Sequence, residues 1–490
     1  MNVWKLCGGC SRYFPQFLPC HRGCGLVKFS RMSAQESGLL ERWALVLERK
    51  ADAAALFDAS GNVLATFTEI ERESAVWQEK FRTLPARAVI GIQLGNHPAW
   101  PAVLLAIWRN NQGALPLDAS LRGEMTQQIL QTAGASALLA GVGESEIFPC
   151  ELKSNVSSSA AIGLFKVTSG TTGTPRLIAF TLPQIVADSD NICATMGLLE
   201  SDINYGAVPL SHSYGFSNFL TPLLTRGIPL VVAQDHLPQA MLAGLTNTRA
   251  TVLAGIPVLY QSLTRLGLDL PPNVRLCITA GAPLSSEVAM TFHAQTGRKI
   301  HSFYGASECG GICYDASEET NLPPGFVGQP MNGVELEWKN GRVIVRSPAV
   351  GEYYLPSTME DALIGGTFSP SDLLELTSRG YRITGRVSDF INITGKKLDP
   401  QTIESVIEKI PGVSRAIVCG IPHERRGELA IAIVETSTVS REQILTICRN
   451  TLAPWQVPSD IWLLEQIPVN ERGKISRREL AESYLTRLQS

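Results

Sequence analysis

A chain of 490 residues is too long for one hydrophobic core and is expected to form two or three domains. Hydrophobic residues make up 44% and charged residues 18%, the balance of an ordinary globular protein. A net charge of −3 excludes the strong field that would favour nucleic acid or an anionic membrane surface. Apolar runs such as Pro101 to Trp108 fall far short of the ~20 residues that a membrane-spanning helix needs.

The chain opens on a segment unlike the rest. Four of its eleven cysteines crowd together as Cys7-x2-Cys10 and Cys20-x3-Cys24, ligand types that suit zinc. Lys5, Arg12, Arg22, Lys28 and Arg31 all precede the first acidic residue, Glu36. A basic, acid-free leader fits a targeting peptide, and it fits equally well translated sequence upstream of a start at Met32. Gly8, Gly9, Arg12 and Pro15 interrupt any secretory apolar stretch. Residues 1–31 are read as a disordered leader or non-native start in preference to a zinc site. The other cysteines (Cys150, Cys193, Cys277, Cys309, Cys313, Cys419, Cys448) form no disulfide-like framework, which suits a reducing, cytoplasmic setting.

Beyond the leader, short apolar runs alternate with helical patterns. Strands are expected at 88–94, 135–140, 162–167, 230–233, 251–254 and 274–279. Helices are expected at 101–110, 182–196 and 285–296, the last capped by Ser285. This alternation predicts parallel sheets covered by helices, with ligands bound at the carboxyl ends of the strands. Near 335 the pattern changes to a hairpin, 335–338 and 343–346, around the turn Asn340-Gly341. A second unit starts near 385, with helices at 402–410 and 441–452 and strands at 416–419 and 429–434. The fold class is therefore α/β. A large domain of helix-covered parallel sheets plus a small β subdomain (32–386) precedes a smaller α+β C-terminal domain (387–490), with the boundary at 385–390.

The most telling stretch is Thr168-Ser169-Gly170-Thr171-Thr172-Gly173-Thr174-Pro175-Arg176, which follows an apolar strand. Glycines permit close backbone approach to a ligand. Backbone amides and the hydroxyls of Thr168, Ser169, Thr171, Thr172 and Thr174 suit phosphate oxygens, and Arg176 adds a fixed fork of positive charge. The spacing is not that of a Walker A loop. It resembles the phosphate-binding loop of the adenylate-forming enzymes, which include acyl-CoA synthetases, amino-acid adenylating domains and luciferases.

Further segments resemble that family in the same order, over roughly residues 35–485. The resemblance implies that Tyr304, in Tyr304-Gly305-Ala306-Ser307-Glu308, stacks on adenine, and that Glu308 helps hold Mg²⁺ together with Thr168. Gly281-Ala282-Pro283 resembles the other wall of the adenine slot. Asp372 resembles the aspartate that binds the ribose hydroxyls, and Arg386 the arginine that closes on ribose and phosphate. The segment Gly385-Arg386-Val387-Ser388-Asp389 resembles a hinge on which the small domain swings between two active states, with Ser388 at the hinge position. Lys474, in Asn470-Glu471-Arg472-Gly473-Lys474, resembles the lysine of adenylation. Two departures stand out. Arg176 and Leu177 occupy positions where the family usually has lysine and glycine, and Ser388 replaces an aspartate or lysine.

Pro209-Leu210-Ser211-His212-Ser213-Tyr214-Gly215-Phe216 resembles the start of the family's acid pocket, with His212 as a gate; a buried structural histidine is the competing reading. No Asp or Glu lies between Ile203 and Gln234. A buried substrate ammonium would be left unpaired there at high cost, so the tail is expected to be an uncharged acyl or aryl group. It would lie against Tyr214, Phe216, Ile256 and Gly305. The resemblance implies an acid:thiol ligase that uses ATP, Mg²⁺ and coenzyme A. A carrier-protein phosphopantetheine arm is the alternative acceptor, since Lys396, Lys397, Arg425 and Arg426 would suit either partner. An inactive nucleotide-binding relative is the rival of another class.

Overall fold

Apolar strand runs that continue without polar interruption must be covered on both faces, and two such groups organise this chain. The structure is a computed structural model. It describes residues 38–489 except 122, 142–145, 150–160, 169–175, 236, 340–341, 358–362, 387–389, 394–395, 424–426, 453 and 470–474.

The first sheet has seven strands in the order Tyr353–Leu355, Arg176–Thr181, Ile162–Thr168, Gly113–Pro116, Val89–Gln93, Ala135–Ala140, Glu146–Pro149. Its centre is parallel, from Ile162–Thr168 across to Ala135–Ala140. Its edges are antiparallel. The sequence reading of parallel sheets therefore holds at the centre and not at the rim, and loop length is the reason. Residues 169–175 are too short for the crossover of about a dozen residues that a parallel pair requires, so Ile162–Thr168 and Arg176–Thr181 pair as a hairpin.

The second sheet has eleven strands. Ala54–Phe57, Leu230–Val231, Asn204–Gly206, Val252–Gly255, Leu276–Thr279 and Ile300–Ala306 run parallel. Gly310–Tyr314, Phe326–Pro330, Gly380–Arg386 and Asp372–Thr377 then continue it antiparallel. All four residues of Val252–Gly255 and of Leu276–Thr279 are buried. The helix Trp100–Arg109 buries nine of its residues, Trp100 to Trp108, as a helix apolar on every side must. Helix Leu182–Met196 starts where Thr181 and Gln184 form a reciprocal capping box.

Glu335–Lys339 and Arg342–Arg346 form the expected hairpin, with Lys339 paired to Arg342. Thr367–Phe368 and Leu363–Ile364 complete its four-stranded sheet. The turn residues Asn340 and Gly341 lie outside the described residues. In the C-terminal region, Val413–His423 and Gly427–Thr436 pair along their length, and Asp460–Leu464 joins in parallel. Ile403, Ile407, Ile444 and Cys448 pack into one core of this region, and Leu480 and Tyr484 into another.

Two local expectations need correction. Ser285 does occupy the N-cap of Ser286–Thr296, but its side chain makes no capping bond. The helix expected at 402–410 runs Pro400–Ile407, because Asp399 caps it and Pro400 suits the first helical position. No helix among the described residues is long and apolar enough to cross a membrane.

Candidate active site

Three parallel strands end close to the motif residues. Ile162–Thr168 leads into the phosphate loop, Leu276–Thr279 into Gly281-Ala282-Pro283, and Ile300–Ala306 carries Tyr304 and Gly305. This is the end at which open α/β sheets bind ligands.

The structure joins two residues that lie far apart in sequence: the Tyr304 hydroxyl donates to Asp372 Oδ2 at 2.9 Å. Burial, reinforced by the Asp372 charge, pushes the Tyr304 hydroxyl well above its ordinary pKa, so it remains a donor at neutral pH. Across the ladder, Asp372 is the Cα partner of Arg386. Gly305 is exposed, and a Cβ there would lie 2.7 Å from the Gly310 carbonyl oxygen, so only glycine fits this close approach. Gly281, with φ of +88°, is exposed together with Ala282 and Pro283. These backbone stretches and the Tyr304 ring fit the flat faces of a purine.

Glu308 sits in the turn between Ile300–Ala306 and Gly310–Tyr314, where it is half-buried. Tyr354 donates to its Oε1 at 3.2 Å. Burial raises the Glu308 pKa and the Asp372 charge pushes the same way, whereas the Tyr354 bond and Lys166 oppose the rise. The Arg176 guanidinium lies 4.1 Å from the centroid of the Tyr354 ring and donates to the Pro356 carbonyl at 3.3 and 3.1 Å. The Thr168 hydroxyl donates to the Arg176 carbonyl at 3.2 Å. Thr168, Arg176, Tyr354 and Glu308 thus form one contiguous chain of contacts. Glu308 is the one carboxylate of this chain of contacts, which suits Mg²⁺, an ion that keeps several waters and typically takes one or two carboxylates plus substrate phosphates. Among the described residues no cluster of three or more His, Cys, Asp or Glu side chains could hold a metal.

His212 occupies the N-cap position of the short helix Ser213–Gly215 without a side-chain capping bond, and that helix passes into the π-helix Phe216–Leu220 and then Thr221–Arg226. π-Helical turns are rare and are frequent at functional sites. Tyr214 packs on Phe303 with ring centroids 5.7 Å apart, and Ile256 packs half-buried against the same core. Phe216 is buried in that core. Ser213 donates to Ser307 at 3.0 Å and so ties the acid-pocket segment to the Glu308 turn.

Sequence reasoning missed Tyr354, Ser213, Lys166, Asp188 and Ser217. Two signals were available, a lysine inside the apolar run Ile162–Val167 and the place of Ser213 in the 209–216 motif; Tyr354, Asp188 and Ser217 belong to no motif. Ser169, Gly170, Thr171, Thr172, Gly173, Ser388 and Lys474 lie outside the described residues.

Residues 157–355 match the family described as AMP-binding enzyme, and residues 402–474 match the AMP-binding enzyme C-terminal domain. The chain is 28% identical to the long-chain-fatty-acid–CoA ligase FadD13 of Mycobacterium tuberculosis over 336 residues, 65% of this chain. That match spans 66% of the relative, just under two thirds of its length. It is 24% identical to the feruloyl-CoA synthase of Amycolatopsis sp over 467 residues, 86% of this chain and 95% of that protein. In fold it is similar to the ATP-bound MatB of Rhodopseudomonas palustris, with a TM-score of 0.77 and 21% identity, over 91% of this chain and 99% of the other.

Proposed function

The chain belongs to the adenylate-forming superfamily and resembles its acyl-CoA synthetases, and from that premise we propose that it is an ATP-dependent carboxylic acid:thiol ligase acting through an acyl- or aryl-adenylate. The observation that carries this reading is the Tyr304–Asp372 bond beside Glu308, at the carboxyl ends of the parallel strands.

In the first step a carboxylate oxygen of the acid attacks the α-phosphorus of ATP, and the bond to pyrophosphate breaks. In the second a thiol attacks the acyl carbon and AMP leaves with the electron pair of the broken C–O bond. The carboxylate is already a nucleophile, so the protein's work is positioning and charge stabilisation. Tyr304 faces adenine, with Gly281 to Pro283 as the opposite wall. Asp372 accepts from the ribose hydroxyls. The amides and hydroxyls of Thr168 to Gly173 hold phosphate oxygens. Glu308 and Thr168 would hold Mg²⁺, which supplies charge neutralisation on the phosphates. Lys474 contacts carboxylate and α-phosphate during adenylation, Arg386 closes on ribose and phosphate, and the region beyond Ser388 swings to admit the thiol.

The acid carries no ammonium, because no Asp or Glu between Ile203 and Gln234 could pair it. Coenzyme A is the acceptor, in keeping with the relatives named as CoA ligases. The test is a pyrophosphate-release screen over fatty, aryl and amino acids, followed by mass spectrometry of products formed with coenzyme A and with a phosphopantetheinyl carrier protein. Release with no acid would refute the ligase reading. Preference for an α-amino acid would refute the acid class, and thioester on the carrier alone would refute coenzyme A.

A further inference from the structure

Behind the candidate site lies a buried polar chain that the functional reading does not use. Lys166 projects from Ile162–Thr168, two residues before the phosphate loop, and its side chain is 8% exposed. Its Nζ donates to Ser217 Oγ at 3.3 Å, and the Ser217 hydroxyl donates its own proton to Asp188 Oδ2 at 2.6 Å. Lys166 Nζ is also 3.9 Å from Asp188 Oδ2 and 4.8 Å from the Phe180 ring centroid. The second Asp188 oxygen accepts from the Gly311 amide at 3.0 Å.

Each member stands on a segment with a different task. Lys166 is on the strand that delivers the phosphate loop. Gly311 follows the Glu308 turn. Ser217 is in the π-helix that continues from His212 and Tyr214 in the acid-pocket segment. Asp188, on Leu182–Met196, is the common acceptor. The approach is so close that Gly310, at φ of +68°, has no room for a Cβ beside the Asp188 carboxylate. A buried pair is weak as a source of stability, because apolar residues of similar volume often serve as well. Its geometry here instead locks three ligand-facing segments to one another.

We propose that the Lys166–Ser217–Asp188 chain is a positioning device that sets the Glu308 turn and the phosphate-loop strand against the acid-pocket helix, so that Mg²⁺-nucleotide and carboxylic acid bind cooperatively. This rests on the ligase reading. The coupling is carried by direct contacts: displacement of the π-helix by the acid moves Ser217, and Ser217 shares its partner with the amide that pins the Glu308 turn.

The experiment measures, by calorimetry, the Kd of Mg²⁺ with the non-reacting analogue α,β-methylene-ATP, with and without the acid that gives the most pyrophosphate release. Wild type should bind the analogue about tenfold more tightly with the acid present, within the usual range of coupling between sites. Ser217→Ala cuts the chain at its least disruptive point and should bring that ratio close to one, with the melting temperature near wild type. Lys166→Met/Asp188→Asn removes both charges together and keeps an acceptor for the Gly311 amide; it should do the same and raise the Mg²⁺ requirement. A wild-type ratio of one, a Ser217→Ala ratio equal to wild type, or a ratio lost only in step with the melting temperature would overturn the proposal. Wild-type pyrophosphate release reports separately on the ligase reading, so the two can fail independently.

Discussion

In the C-terminal region Arg477 bonds both carboxylate oxygens of Glu404 and donates to the Val418 carbonyl at 2.8 Å, while Glu404 Oε1 also accepts from the Val418 amide at 2.7 Å. In the large region Lys166 is held more loosely, 3.9 Å from its carboxylate, with a hydroxyl and a ring as its other neighbours. The two arrangements use the two cations according to their chemistry. A planar guanidinium satisfied on several sides is a latch, and it ties the start of Arg477–Gln489 to Pro400–Ile407 and Val413–His423. A compact ammonium is a point charge. Placed two residues before the phosphate loop in the chain, it also acts on Glu308, whose pKa it lowers against the effect of burial.

The sharpest way to break this comparison is to remove the latch. Arg477→Met leaves the nearly buried Glu404 without its cation and should destabilise the C-terminal region by about 3–5 kcal/mol in chemical denaturation. Affinity of the folded protein for Mg²⁺ and α,β-methylene-ATP should stay within about twofold of wild type, since less than 0.5 kcal/mol separates such values. A large change in nucleotide affinity would show that the pair belongs to the site after all.

Next in size is Lys474→Ala, which tests whether the C-terminal region contributes to chemistry as well as carrying a latch. It should slow acyl-adenylate formation by about 10²–10³, the usual effect of deleting a transition-state charge stabiliser. Given preformed acyl-adenylate and coenzyme A, the variant should form thioester at near wild-type rate if, as proposed, the swing that admits the thiol carries Lys474 away. A parallel fall in both half-reactions would overturn the two-state assignment.

The contrast between regions also explains what was legible in the sequence. Periodicity located Ala135–Ala140 and Leu182–Met196 to the residue, because apolar runs and a capping box are local signals. The antiparallel edges of the first sheet, Glu146–Pro149, Arg176–Thr181 and Tyr353–Leu355, are not among the strands expected from the sequence, because pairing direction depends on loop length and on a distant strand, Tyr353–Leu355. At the site, Tyr304, Glu308 and Asp372 were visible through motifs. Tyr354 and the Lys166 chain were not, since their partners come from segments such as 188 and 217 that only folding brings together. Helix Phe67–Phe81 was passed over despite a full capping box between Thr66 and Glu69. That signal was present and unread.

Glu308→Gln is expected to have a smaller and double-edged effect. Loss of a partner that merely holds a metal ligand in place already weakens metal binding by about 10–100-fold, so loss of the proposed anionic ligand should cost at least that much Mg²⁺ affinity. Stability should move the other way. Burial raises the Glu308 pKa, so its carboxyl favours the fold fully below the unfolded pKa and loses that advantage as pH rises through the folded one. At neutral pH the neutral amide should therefore melt at or above the wild-type temperature. Unchanged Mg²⁺ dependence, or a lowered melting temperature, would contradict this account.

The smallest effect is expected at Arg176, where the family usually has lysine. Its guanidinium lies over the Tyr354 ring and donates to the Pro356 carbonyl, so its contacts run toward the segment that holds Glu308. A lysine keeps the charge and loses the planar fork. Arg176→Lys should therefore cost about 0.5–1 kcal/mol, the worth of an exposed cation–π contact, which is about a two- to fivefold rise in the KM for ATP. Tyr354→Phe keeps the ring and removes the bond to Glu308, so it should leave the Arg176 contact intact and raise the Mg²⁺ requirement instead. If Arg176→Lys cost as much as Glu308→Gln, the guanidinium would be gripping phosphate directly, and its place would be in the phosphate loop's charge set and not among the supports of Tyr354.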